Sequence, residues 1–229
     1  MKKLIPQKIK NIYHLFQAIL ANLVYSFPAC NAMRSIVNRS SKEIKIIGVT
    51  GTNGKTTTTQ MIKTILEETG FKVAVASSLN FKIGNKEWIN ETKFTTLSGF
   101  QIQKFIKTAM EEKCQYLVLE ISSHALDQHR VWGIKFDTAV ITNITREHLD
   151  YHKTMKRYRQ TKKKLFKNVS RVVVNLDMEN PEEFLKYKNK EKYGYKISDQ
   201  GQKNESQELD KKIKVSIARQ HESSELIEV

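Results

Sequence analysis

The sequence predicts an α/β fold, a P-loop-containing, mostly parallel sheet with helices on both faces. Three observations carry that expectation. Short apolar runs recur at residues 44–47, 71–76, 116–119, 138–141 and 172–174, near-continuous as in strands buried on both faces. Segments with helical spacing separate them, the order of a parallel sheet built from crossover units. Between the first run and the first helical segment lies Gly48-Val-Thr-Gly-Thr-Asn-Gly-Lys-Thr56, a glycine-rich turn placed where a phosphate cradle needs it.

Residues 1–43 have a character of their own. Lys2, Lys3, Lys8 and Lys10 are followed by a stretch without charge until Arg34, and Ile12, Leu15, Phe16, Ile19, Leu20, Leu23, Val24 and Phe27 recur at helical spacing. This reads as an amphipathic helix and a linker. Asn11, His14, Gln17 and Asn22 argue against a membrane span, leaving two uses for the stripe: docking on protein, or peripheral membrane contact through residues 12–27. A nucleotide site downstream implies a cytoplasmic protein, peripheral to the membrane under the second alternative, and weighs against a cleaved export signal.

In the glycine turn, Gly51 and Gly54 allow left-handed backbone and bring N–H groups against phosphate oxygens. Lys55 would then bridge the terminal phosphates and Thr56 would offer its hydroxyl to Mg²⁺. The pattern departs from the general P-loop in having Val49 five residues before Gly54; an ordinary strand-to-helix turn with an exposed lysine is the alternative. Residues 56–68 place Met61, Ile62, Ile65 and Leu66 at helical spacing. After the strand at 71–76, residues 80–90 read as a hairpin centred on Gly84-Asn85, and residues 99–113 as a helix. Ligands gather at the carboxyl ends of parallel strands, so residues 51–56, 120–124, 142–148 and 175–177 are expected to meet in space. Beyond Tyr195 the chain turns polar over 200–212, and only 213–218 and 226–229 resemble strands, so 198–229 reads as a surface loop with an edge hairpin.

The chain has 229 residues, 39% of them hydrophobic, enough for a packed core. Its formal net charge of +15 calls for an anionic partner, which nucleotides, phosphorylated substrates, nucleic acid and anionic membrane all satisfy. Nucleic acid is disfavoured, because no aromatic-interleaved platform or binding motif accompanies the charge. Much of the excess lies in 153–167 and 186–192, read as solvated helix faces. Cys30 and Cys114 carry neither a disulfide framework nor zinc spacing.

Glu120 ends the strand at 116–119, where a carboxylate can hold Mg²⁺ or water. The following turn gathers Ser122, Ser123, His124, Gln128, His129 and Arg130. Arg130 suits bidentate binding of carboxylate or phosphate. Ser123 beside His124 is a poor nucleophile pair, because adjacent residues rarely reach the required geometry. His148 reads on chemistry alone as a hydrogen-bonding or helix-capping residue, since Mg²⁺ prefers oxygen.

Four motifs in order resemble the central domain of the Mur ligases: residues 51–57, residues 120–126 with Gln128 and Arg130, Thr142-Asn143 with residues 148–152, and Tyr158 four residues before Lys162 with Leu165-Phe166. That family uses ATP to add amino acids to peptidoglycan precursors. The resemblance implies that Gly51, Thr52, Asn53, Gly54, Lys55, Thr56, Thr57 and Asn80 bind ATP. It implies that Thr56, Glu120 and His148 hold Mg²⁺, and that Lys162 is carbamylated to become a further metal ligand, with Lys163 and Lys164 as competitors for that role. Lys55, Glu120, His148 and Lys162 would then be catalytic, and Thr95, Thr96, Ser122, Ser123, Gln128 and Arg130 would face a muramoyl-peptide-like anionic substrate. Leu97 departs from the family, which usually has proline there. Residues 44–197 are expected to form this domain, without the family's uridine-nucleotide-binding and amino-acid-binding domains, so that a truncated or split ligase with a separate chain, or a non-catalytic ATP-binding scaffold, is expected.

Overall fold

A computed structural model describes residues 6–25, 44–92, 94–199, 213–220 and 226–228. Its helices are α1 Gln7–Val24, α2 Lys55–Glu68, α3 Gly99–Glu111, α4 Ser123–Asp127, α5 Leu149–His152, α6 Met155–Lys163 and α7 Glu182–Leu185. Its strands are β1 Lys45–Thr50, β2 Val73–Ala76, β3 Asn80–Ile83, β4 Lys86–Ile89, β5 Tyr116–Glu120, β6 Thr138–Ile141, β7 Arg171–Asn175, β8 Glu191–Asp199, β9 Ile213–Gln220 and β10 Leu226–Glu228. All ten form one sheet in the order β10-β9-β8-β7-β6-β1-β5-β2-β3-β4.

From β8 to β2 neighbouring strands run parallel, and both edges are antiparallel, β3-β4 at one and β9-β10 at the other. This is the mostly parallel α/β sheet that the sequence predicts. Along each central strand successive side chains enter opposite layers, the period of two that pleating imposes. Leu117, Leu119, Ala139, Ile141, Val172 and Val174 face a large core beneath α3, α6 and α7. Val118, Val140 and Val173 face a smaller one closed by Ile62 and Leu66 of α2. Both faces are therefore covered, which explains the near-continuous apolar runs. The hairpin β3-β4 turns at Gly84, whose φ of 57° suits glycine.

β1 lies between β5 and β6, where the chain changes direction across the sheet, the place at which open α/β sheets bind ligands. α3 begins with a capping box, the Ser98 hydroxyl accepting from Gln101 N–H while the Gln101 side chain accepts from Ser98 N–H.

Two expectations are corrected. Residues 186–192 form no helix; the chain leaves α7 at Lys186 and enters β8 at Glu191, so these lysines line a loop and a strand. α1 also packs with an unexpected face. Ala18, Ala21 and Asn22 are its buried residues, while Ile12, Phe16, Leu20, Leu23 and Val24 of the apolar stripe are exposed. Gly99 explains the choice: a Cβ there would lie 3.1 Å from Ala18 Cβ, so the helices meet where neither side has bulk. Asn11 Nδ2 donates to the Asp127 carboxylate (3.1 Å), and Asn22 Nδ2 to the carbonyls of Ala18 (2.8 Å) and Trp132 (3.2 Å). The stripe's last member, Phe27, lies outside the described residues, as do residues 200–212 and Val229.

Candidate active site

The glycine-rich turn runs from the end of β1 to the start of α2. Gly54 is the residue before α2 with φ of 76°, a left-handed conformation that costs a side-chain-bearing residue about 1 kcal/mol or more. Gly51 is required for a different reason. A Cβ on it would meet Thr142 Oγ1 at 1.8 Å, so only glycine lets the turn lie against the end of β6. That contact is reinforced in both directions. Thr52 N–H donates to Asn143 O and Asn53 N–H to Asn143 Oδ1, both at 2.9 Å, while Thr142 Oγ1 donates to Asn53 O at 2.6 Å. Asn175 Nδ2, at the end of β7, donates to Thr142 O at 2.8 Å. The ends of β1, β5, β6 and β7 thus meet.

Glu120 ends β5 and is 2% exposed. Its two carboxylate oxygens accept from Thr56 Oγ1 at 3.1 and 3.0 Å, from Ser78 N–H at 2.8 Å and from Ser78 Oγ at 3.0 Å. Hydroxyl and carboxylate oxygens side by side are the donor set a hard divalent cation takes, so these residues fit Mg²⁺. Among the described residues no three His, Cys, Asp or Glu side chains group to hold a metal by themselves. Ser78 is absent from the sequence-based site; its place after β2, beside the end of β5, is the signal that would have found it.

Lys162 of α6 is 1% exposed. Its Nζ donates to Gly51 O at 2.7 Å and lies 4.7 Å from the Tyr158 ring centroid. Burial above all, and then the Lys55 charge, lower its pKa to about 7 against the opposing pull of Glu147. Lys163 pairs with Glu183 and Lys164 approaches Asp127 at 3.7 Å, so of the three lysines Lys162 is the one at the glycine turn. Tyr158 supports the same wall, its hydroxyl 3.1 Å from Thr52 Oγ1. Lys55 Nζ donates to Thr52 O, and Thr57 is exposed on the first turn of α2.

His148 precedes α5 with φ of 54°, uncommon for a residue with a side chain. It makes no side-chain cap bond, so the capping alternative does not hold. Its ring packs edge-on to His124 (4.9 Å) and lies 6.4 Å from Tyr158, with Glu147 Oε2 3.8 Å from Nε2. Burial, then His148 and Arg130, push the His124 pKa down. His152 is fully buried, its pKa lowered to about 4 by burial and by His124, so it is neutral. Its Nε2 lies 2.9 Å from Ser123 Oγ. Ser123 therefore pairs with the last histidine of the 148–152 motif and not with its neighbour His124, and it is only 2% exposed.

The remaining predicted residues divide. Thr96, Ser122 and Arg130 form one cluster: Ser122 N–H donates to Thr96 Oγ1 (2.9 Å), which donates to Glu120 O (3.1 Å), and Arg130 Nη1 donates to Thr96 O (3.1 Å). Thr95 is half-buried beside them, lining a small recess with Thr96, Leu97 and Glu120. Arg130 Nε and Gln128 Oε1 are buried without a hydrogen-bond partner among the described residues. Asn80 has both ends of its amide engaged within the protein. Its Oδ1 accepts from Gln60 (2.7 Å) and Ser77 (2.8 Å), and its Nδ2 donates to Glu87.

A glycine turn closed by strand-end loops, a helix starting at its lysine and a hydroxyl–carboxylate pair beside it define a P-loop α/β domain. Over residues 49–229 the chain matches the Mur ligase middle domain, and it belongs to the Mur ligase family. It is 47% identical over 146 residues to the UDP-N-acetylmuramoyl-L-alanyl-D-glutamate--2,6-diaminopimelate ligase of Clostridium botulinum, covering 64% of this chain and 30% of that protein. The Helicobacter hepaticus protein of the same name is 39% identical over 166 residues, covering 72% and 35%. These names agree with the motifs, which resemble most the member that adds the third residue, UDP-N-acetylmuramoyl-tripeptide synthetase. The matches span about a third of the length of these relatives. A solved structure of a ligase with the same name superposes with a TM-score of 0.63 at 22% identity, over 98% of this chain and 44% of that one. The ligand-free bifunctional folylpolyglutamate synthase/dihydrofolate synthase of Yersinia pestis gives 0.57 at 19%, over 93% and 53%. At such identities these structures speak to the fold.

Proposed function

We propose that this chain is the ATP-binding, carboxylate-activating domain of a ligase of peptidoglycan precursor synthesis, working in the cytoplasm where ATP is available. One observation carries the reading: the loops after β1, β5, β6 and β7 interlock around Gly51–Thr56, with the Thr56 hydroxyl on Glu120 and the Lys162 amine on Gly51 O. The N–H groups of Gly54, Lys55, Thr56 and Thr57 and the Lys55 amine bind the β- and γ-phosphates of ATP, while Thr52 and Asn53, whose N–H groups are held by Asn143, shape the turn around it with Gly51. Thr56, Glu120 and His148 would hold Mg²⁺, joined by Lys162 once its neutral amine has added to CO₂ and released a proton to become a carbamate. Bound Mg²⁺ supplies charge neutralisation on the phosphates. Arg130 and Gln128, with buried atoms unpaired among the described residues, and Thr95, Thr96 and Ser122 beside them, orient the anionic muramoyl-peptide so that its carboxylate attacks the γ-phosphorus, giving an acyl phosphate with ADP as the leaving group; an incoming amine then displaces the phosphate to form the amide. Ser123 acts one step removed, held by His152. Asn80 fixes the β2–β3 corner through Gln60.

Amide formation then needs a domain that holds the incoming amino acid, supplied by a separate chain or segment. The test is phosphate transfer from ATP measured with and without UDP-N-acetylmuramoyl-L-alanyl-D-glutamate, the acceptor named for the relatives. Acceptor-dependent ADP release supports the ligase reading. ATP binding with no acceptor dependence, in the presence of a supplied closing domain, leaves the nucleotide-binding scaffold as the function.

A further inference from the structure

The face of α1 turned away from the sheet has no part in this chemistry. Ile12 (67% exposed), Phe16 (63%) and Leu23 (60%) lead it, joined by Tyr13, Leu20 and Val24. The helix cannot turn this face inward without breaking its own attachments, because Asn11, Ala18 and Asn22 are committed on the opposite side to Asp127, Gly99 and Trp132. A large apolar stripe is therefore held outward by a small, polar docking face.

Within α1 the charges are of one sign. Lys8 and Lys10 are exposed at its N-terminal end, and the first acidic residue in the sequence is Glu43. Beside its C-terminal end, Tyr25 packs edge-on against Phe100 of α3 at 5.0 Å. Lys107 Nζ lies 5.8 Å from the Tyr25 ring and 3.9 Å from Glu111, and Lys104 is exposed one turn earlier on the same helix. An apolar, aromatic-containing face bordered by lysines is the pattern of a helix lying in the headgroup region of a bilayer. No described helix is long and apolar enough to cross one.

We propose that α1 seats this protein on an anionic lipid surface, with Ile12, Phe16, Leu20 and Leu23 among the upper acyl carbons and Lys8, Lys10, Lys104 and Lys107 against lipid phosphates. The charge complementarity favours this occupant over a second copy of the chain, whose own face carries the same lysines.

The test is sedimentation of the full chain with vesicles of phosphatidylcholine alone and of phosphatidylcholine with phosphatidylglycerol. The wild type is expected to bind the anionic vesicles, and Phe16→Glu/Leu20→Glu and Lys8→Glu/Lys10→Glu to lose at least about tenfold in partitioning, given the worth of each lysine near an anionic surface. Thermal melting should be unchanged, because all four side chains are exposed. Absence of binding, equal binding to neutral vesicles, or full binding by either variant overturns the proposal. So does a dimer, seen by light scattering without lipid binding, that Phe16→Glu/Leu20→Glu dissociates.

Discussion

Replacing Lys162 with methionine leaves a chain of similar length in a site that is 1% exposed and removes the amine. The unfolded chain holds that proton up to about pH 10.5, the folded one only up to about 7. Between those values the unfolded state binds more protons, so raising the pH stabilises the wild-type fold, and the full penalty is present below about pH 7. At 1.36 kcal/mol for each factor of ten, the charged amine costs the fold at most about 5 kcal/mol. The absolute difference between Lys162→Met and wild type also contains the lost bond to Gly51 O and altered packing, but those terms do not titrate. The expected readout is therefore the pH dependence. Relative to wild type, Lys162→Met should gain about 2 kcal/mol between pH 9 and pH 7, and little more by pH 6. Urea denaturation of both proteins in CO₂-free buffer at the three pH values measures it, because dissolved CO₂ would convert the neutral amine. A stability difference that stays flat from pH 9 to pH 6 would refute a lysine forced toward neutrality, and with it the physical basis for carbamylation.

Gly51→Ala should abolish nucleotide binding and lower stability by about 2 kcal/mol or more, because its Cβ collides with Thr142 Oγ1; adding Thr142→Ala should recover part of the stability, read by urea titration. Lys55→Met should weaken ATP binding between about tenfold and a hundredfold in a fluorescent-nucleotide titration while leaving the melting temperature nearly unchanged, since it removes a charge-assisted hydrogen bond from a half-buried side chain. Gly133 has φ of 78°, and a Cβ there would lie 2.7 Å from Asn22 Nδ2. Gly133→Ala should therefore loosen α1 selectively, its amides exchanging faster in deuterium while those of β1 do not change.

The apolar runs and the glycine turn made the sheet and its binding edge legible, because burial on both faces leaves an unambiguous pattern. Partner choice was less legible. The α2 stripe offered Met61, Ile62, Ile65 and Leu66 alike, yet Ile62 and Leu66 pack and the other two are exposed, since a helix resting on a sheet buries only a narrow strip. α1 failed as an ordinary amphipathic prediction because close approach at Gly99 favours alanine over leucine. Within the site, residue types announced Lys55, Glu120 and Arg130, whereas the Ser78 backbone amide and the His152 partner of Ser123 depend on tertiary neighbours that no local spacing encodes.

β1 is hydrogen-bonded on both flanks over most of its length, whereas β4 is paired along one side. Amides in such a middle strand open only when the molecule comes apart, while a margin can fray by itself. The glycine turn is thus tethered to the last part of the protein to let go, and a nucleotide bound there should delay global denaturation more than it quiets the β3–β4 margin.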